Sequence, residues 1–141
     1  MIQERSGVMD HLRELNAALN DWVRYRTISL EELKNDRDKL NMVLHAMLVS
    51  IQSAIDISNH IIAEKKLRKP ATYRETFEIL KEADLISLKQ SESLSDLAEF
   101  RNVLVHIYWN LDIKEIYGVL QNDLESLKGF EKTIKETLLK K

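Results

Sequence analysis

DKLNMVLHAMLVSIQSAIDISNHIIAEKK, residues 38–66, decides the fold. Leu40, Leu44, Met47, Ile51, Ile55 and Ile62 recur at helical spacing, and residues 42–49 are apolar nearly all the way round. A helix that is apolar on more than one side must be covered on more than one side. It therefore belongs in the middle of a bundle or in an oligomer interface. The near-apolar run is far shorter than the roughly 20 residues that cross a bilayer, and it contains His45. A soluble, cytoplasmic protein with no membrane contact is expected.

Upstream, Val8, Leu12, Leu15, Leu19, Trp22 and Val23 keep the same spacing and predict a first helix of about five turns. Ser29 to Glu32 reads as a capping box opening a short helical piece before the long one. Downstream, Pro70 breaks the chain, and Thr72 to Glu75 is a second capping box, for a helix ending near Ala83. Another helix starts between Ser87 and Ser95. Asp112 to Glu115 caps a last helix with the stripe Ile113, Ile116, Leu120, Leu124, Leu127, Ile134 and Leu138. The pattern predicts an all-α fold, an antiparallel four-to-five-helix up-and-down bundle in one domain over residues 1–141.

Composition agrees. Three glycines and one proline are few for a chain with many tight turns, while 44% hydrophobic and 31% charged residues suit amphipathic helices. Without cysteine there is no disulfide framework, thiolate nucleophile or Cys-ligated zinc. The first ten residues contain no signal-peptide apolar core. A net charge of −2 argues against a broad electrostatic grip on nucleic acid but leaves room for a local basic site. No glycine-rich phosphate loop and no His–Glu zinc or di-iron spacing occurs, so no metal and no cofactor are expected.

The chemistry-bearing stretch is FRNVLVHIYWNLD, residues 100–112. On a helical wheel Leu97, Phe100, Leu104, Ile107 and Leu111 form a core face, with Val103 at its edge. A second stripe runs Leu94, Ala98, Arg101, Val105 and Tyr108, with Asn102, His106 and Trp109 beside it. Arg101, Asn102, His106 and Tyr108 share an arc of roughly 160° facing away from the core. A face that mixes polar groups with Leu94, Ala98, Val105 and Trp109 predicts a homodimer that buries the stripe. Histidine, with an unperturbed pKa of about 6.5, exchanges protons near neutrality, which makes His106 the candidate general acid and base. Arg101 can fork two N–H bonds to a phosphate as charge builds on it. Asn102, one turn before His106, can orient the imidazole or a ribose hydroxyl. The set suits RNA cleavage by attack of the substrate's own 2′-hydroxyl, which requires no metal.

These residues also resemble a known family. Arg101, Asn102, Val105, His106 and Tyr108 match the R-x-x-x-x-H signature of the HEPN superfamily, in the R-x-x-x-x-H-x-Y form of the HepT toxins. AIDISNHIIAE at 54–64, RKPATYRETFEIL at 68–80 and LAEFRN at 97–102 are similar to that family too. Ile107 stands where relatives often carry an acidic residue. The resemblance implies a dimer with facing motifs and a metal-independent endoribonuclease toxin of a type II/VII-like toxin–antitoxin pair, cutting tRNA or mRNA. It also implies a cognate MntA-like minimal nucleotidyltransferase antitoxin that AMPylates the motif tyrosine, here Tyr108. The alternative is a non-catalytic HEPN subunit that binds the nucleotidyltransferase and cleaves nothing.

Lys65, Lys66, Arg68 and Lys69 form a basic cluster at the end of the long helix. Their first role there is to complement the helix macrodipole, and their second is as candidate RNA-binding residues. His60, one turn after Asp56, is expected to pair with it by a helical hydrogen bond rather than to ligate metal. His11 and His45 read as ordinary helix residues.

Overall fold

The helix singled out by the sequence runs through the centre of the molecule. The computed structural model of the chain describes the backbone of residues 2–107 and 109–139, and side chains over 7–107 and 109–138. The described residues form α1 (Ile2–Tyr25), α2 (Leu30–Asn35), α3 (Arg37–Glu64), α4 (Tyr73–Glu82), α5 (Leu88–His106), α6 (Ile113–Asn122) and α7 (Leu124–Leu139). Asp36 caps α3 by accepting the N–H groups of Asp38 and Lys39 at 3.0 and 3.2 Å. From there α3 packs against α1, α2, α4, α5 and α7. Val43, Met47, Ile51, Ile55 and Ile57 are almost completely buried among these neighbours. Taken whole, its 28 residues are long and apolar enough to cross a membrane, a test the shorter run 42–49 fails. Its apolar surface is spent on the protein core instead.

α1 runs antiparallel to α3, since His11 near its start lies beside His60 near the end of α3, ring centroids 5.5 Å apart. A Cβ on Gly7 would sit 3.2 Å from the His60 ring, so the glycine lets the two helices close together there. Val8, Leu12, Leu15, Leu19 and Trp22 face the core as expected, whereas Val23 is exposed on the far side of the wheel. The Thr72 hydroxyl caps α4 by accepting from Glu75 N–H. The reciprocal arm of the expected box is shifted by one residue, with the Glu75 carboxylate accepting from Ala71 N–H. By contrast, the Ser29–Glu32 box forms in full.

One expected element is divided. The C-terminal stripe predicted a single helix from Asp112 onward, and the chain instead turns at Asp123 between α6 and α7. In a continuous helix the Leu120 carbonyl would accept from Leu124 N–H. Here the buried Trp22 indole donates to it at 2.9 Å. Next to it Arg26 donates to the Gln121 carbonyl at 3.2 Å, and Gln121 returns a bond to the Arg26 carbonyl at 2.8 Å. The end of α1 thus stabilises the break, and both sides of it bury leucine, Leu120 and Leu124. That turn and the short α2 bring the count to seven helices among the described residues.

Candidate functional site

α5 is capped by Ser87 and Gln90 in a full capping box. Its small residues Ser91, Ser95 and Ala98 recur at four- and three-residue spacing and admit α4 at close range. The Ser91 hydroxyl donates to the Phe77 carbonyl at 3.2 Å, and Ser95 donates to that of Arg74 at 3.3 Å. This overturns part of the expected dimer stripe. Leu94 and Ala98 are 1% and 0% exposed within the single chain, because α4 and the core cover the face that was assigned to a second subunit. Ion pairs from Arg74 to Asp96 (3.4 Å) and Glu99 (2.9 Å) hold the two helices together, and these carboxylates hold the Arg74 guanidinium above its ordinary pKa.

The helix also ends sooner than the wheel assumed. Ile107 leaves helical geometry at φ −122°, ψ 44°, its N–H bonded to the Val103 carbonyl at 3.0 Å. Val103, Val105 and Ile107 are β-branched, which lowers helix propensity, and all three are exposed. After Ile107 the helix does not continue, and Asp112 opens α6 by accepting from Lys114 and Glu115 N–H. Ile107, expected in the core, therefore lies on the surface, while Leu97, Phe100 and Leu104 are buried as predicted. Tyr108 lies outside the described residues.

The remaining motif residues gather at the end of α5. Arg101 is half-buried, and its guanidinium carbon lies over the Tyr73 ring of α4, 5.5 Å from the centroid. Its Nη1 donates to the Asn102 side-chain oxygen at 3.2 Å. Its Nε is buried without a hydrogen-bond partner among the described residues. Asn102 then lines a cleft of about 350 Å³ with Asn59 of α3, Tyr73 and Thr76 of α4, and the 70–72 loop. His106, the last residue of α5, is exposed to solvent. In the same segment Val103, Val105, Ile107 and Trp109 are exposed, the last 81%.

The basic cluster divides. Arg68 is engaged by two carboxylates, Glu82 through a fork at 3.1 and 2.9 Å and Glu75 at 3.3 Å. Each of these carboxyls is held below its ordinary pKa, Glu82 chiefly by Arg68, Glu75 first by the Ala71 N–H and then by Arg68. Arg68 thus ties the α3–α4 loop to α4. Lys65, Lys66 and Lys69 are exposed, and Lys66 takes the left-handed conformation that closes α3, φ 56°.

The expected His60–Asp56 bond is replaced. Asp56 accepts from Gln52 at 2.9 Å and lies 3.9 Å from His11 Nδ1, while His60 packs on His11 across the α1–α3 seam. Among the described residues no group of three or more His, Asp or Glu converges as a metal site. Sequence reasoning missed Tyr73, Asn59 and Thr76 as neighbours of the motif. The available signal was the Ser91–Ser95–Ala98 spacing, which marks a face built for a close helix.

A family model described as Ribonuclease HepT-like matches residues 15–134. The mRNA nuclease HepT of Shewanella oneidensis is 30% identical over 104 residues, 74% of this chain and 78% of its own. The putative RNase YutE of Bacillus subtilis is 27% identical over 137 residues, 97% and 87% of the two chains. A crystal structure of a toxin–antitoxin with AMP-PNP shares the fold at a TM-score of 0.85 and 23% identity, covering 93% of this chain and 98% of that one. The tri-AMPylated Shewanella oneidensis HEPN toxin in complex with MNT antitoxin does so at 0.82 and 24%, covering 92% and 96%.

Proposed function

From the premise that this chain belongs to the HepT-like ribonuclease family, we propose that it is a metal-independent endoribonuclease toxin acting through Arg101, Asn102 and His106. The observation that carries the proposal is the end of α5. There a guanidinium held by Tyr73 and Asn102 and an exposed imidazole share the last turns of one helix, with Val105 and Trp109 exposed in the same segment.

His106 takes the proton from a ribose 2′-hydroxyl as that oxygen bonds to the adjacent phosphorus. Arg101 stabilises the charge on the non-bridging oxygens. The bond from phosphorus to the 5′-oxygen breaks, that oxygen takes a proton from a His106 imidazolium, and a 2′,3′-cyclic phosphate remains. Val105 and Trp109, both exposed, belong to the surface by which two copies pair and bring their motifs together.

The partner is a small nucleotidyltransferase antitoxin, as in the complex of the tri-AMPylated relative. It transfers AMP from ATP to the Tyr108 hydroxyl, forming the new phosphate ester as pyrophosphate leaves. The added anion then competes with RNA phosphate for Arg101. Action in the cytoplasm fits this role, and YutE is described as a cytosolic protein.

The test is RNA cleavage in the presence of chelator by the purified chain and by His106→Ala. Activity lost in the variant, with cyclic-phosphate ends in the products, is expected. Cleavage that requires added Mg²⁺, or that survives in His106→Ala, would overturn the mechanism. Absence of any cleavage by a folded, unmodified chain would favour a non-catalytic subunit. For the modification, co-expression with the nucleotidyltransferase should raise the intact mass in AMP steps, and Tyr108→Phe should abolish the gain.

A further inference from the structure

The cleft beside Arg101 has a character different from the rest of the site. It lies between Asn59, the 70–72 loop, Tyr73, Thr76 and Asn102, and no charged side chain is among the described residues that line it. Its walls are an aromatic ring, two carboxamides, two hydroxyls and the apolar Pro70 and Ala71. An uncharged, partly aromatic recess next to a guanidinium has the two-part chemistry of a nucleotide, with a base for the recess and a phosphate for the cation.

We infer that this cleft is a nucleobase subsite, holding the base adjacent to the phosphate engaged by Arg101 and making the cut depend on its identity. The inference rests on the ribonuclease reading above.

Two details give the subsite direction. Arginine has donors only, so the 3.2 Å contact from Arg101 fixes the Asn102 oxygen toward the guanidinium. The Asn102 NH2 group is then the end left to donate to an acceptor on a base edge. Across the cleft the Thr76 hydroxyl has two acceptors in reach of its one hydrogen, the Thr72 carbonyl at 3.2 Å and the Asn59 side-chain oxygen at 3.4 Å. A site built to hydrogen-bond a particular edge discriminates strongly against a base that leaves those groups unpaired. Tyr73, which carries Arg101 over its ring, contributes the aromatic side chain of the lining.

The experiment titrates the full chain with the four nucleoside 3′-monophosphates and with inorganic phosphate, followed by NMR. At least one nucleotide should bind tenfold or more tighter than inorganic phosphate. Ala71→Phe, which fills the cleft from its exposed rim without touching the core, should erase that advantage and leave phosphate binding unchanged. In parallel, sequencing of cut ends from a randomised RNA should show a base preference at one position next to the cut, flattened in Asn59→Ala.

Nucleotides that bind no tighter than phosphate, or an Ala71→Phe protein that keeps the preference, would remove the subsite while leaving His106-dependent cleavage standing. Conversely, nucleotide binding sensitive to Ala71→Phe in a chain that cleaves no RNA would support the cleft as a nucleotide site and sink the ribonuclease reading.

Discussion

The guanidinium of Arg101 lies over the ring of Tyr73, 5.5 Å from its centroid, so the cation on α5 is positioned by the first turn of α4. A cation over an aromatic face is worth about 0.5–1 kcal/mol when exposed and about 2 when desolvated. Tyr73→Phe keeps the ring and should leave RNA cleavage within about twofold of wild type. Tyr73→Ala should lower kcat by roughly 2–30-fold, the same energy expressed as a rate. Single-turnover cleavage at saturating enzyme separates this from weaker RNA binding. Equal rates for the phenylalanine and alanine variants would mean that Arg101 is held by Asn102 alone.

Leu94 and Trp109 belong to opposite sides of the molecule's economy of surface, one 1% exposed and the other 81%. Leu94→Ala should destabilise the fold by about 2–5 kcal/mol, as buried leucine truncations do. Trp109→Ala and Val105→Glu should leave the urea midpoint of the isolated chain nearly unchanged. They should instead shift sedimentation toward the monomer and reduce cleavage with it. A variant pair that stays dimeric would place the interface elsewhere.

Trp22 is fully buried and donates to the Leu120 carbonyl at the α6–α7 break. Trp22→Phe retains most of the apolar volume but leaves that carbonyl without its partner, a cost of about 1–3 kcal/mol. Equilibrium urea unfolding reads this directly. If Trp22→Phe costs nothing, the break is held by Leu120 and Leu124 packing rather than by the indole.

Glu32 carries a pH signature. The Lys39 ammonium, followed by the Ser29 backbone N–H, lowers its carboxyl from 4.5 to about 2. A group whose pKa is depressed on folding stabilises the native state above its unfolded value and loses that contribution as pH falls through the folded value. Glu32→Gln should therefore melt slightly below wild type at pH 7, with the gap closing between about pH 4.5 and about pH 2. Exposed pairs contribute little, so the difference will be small. Thermal melts of both proteins across that range check the sign, and a gap that widens on acidification would contradict the assignment.

Local patterns were legible without coordinates. Ser29–Glu32, Thr72 and Asp112 mark helix starts because a side-chain oxygen satisfies orphan N–H groups within three residues, a bond that depends on no distant partner. The buried stripes of α1 and α3 were equally readable, because apolar residues at helical spacing can be hidden only on one face or in the centre. The motif residues Arg101, Asn102 and His106 stand as candidates on their chemistry, their spacing and the family resemblance together.

What the sequence by itself determined, then, is everything set by neighbours along the chain: an all-helical fold, a central helix read at 38–66 and found at Arg37–Glu64, and one helix end carrying a cation, an amide and an imidazole. Tertiary structure alone decided which surfaces those helices share. Leu94 and Ala98 looked like dimer contacts until α4 was seen to cover them, and Leu120 looked continuous with Leu124 until Trp22, 98 residues away, took its carbonyl. The physical reason is that periodicity states which face of a helix is apolar but carries no information about what lies against it. That choice belongs to packing and to hydrogen bonds between distant segments, and it is what placed Tyr73 and the cleft beside Arg101.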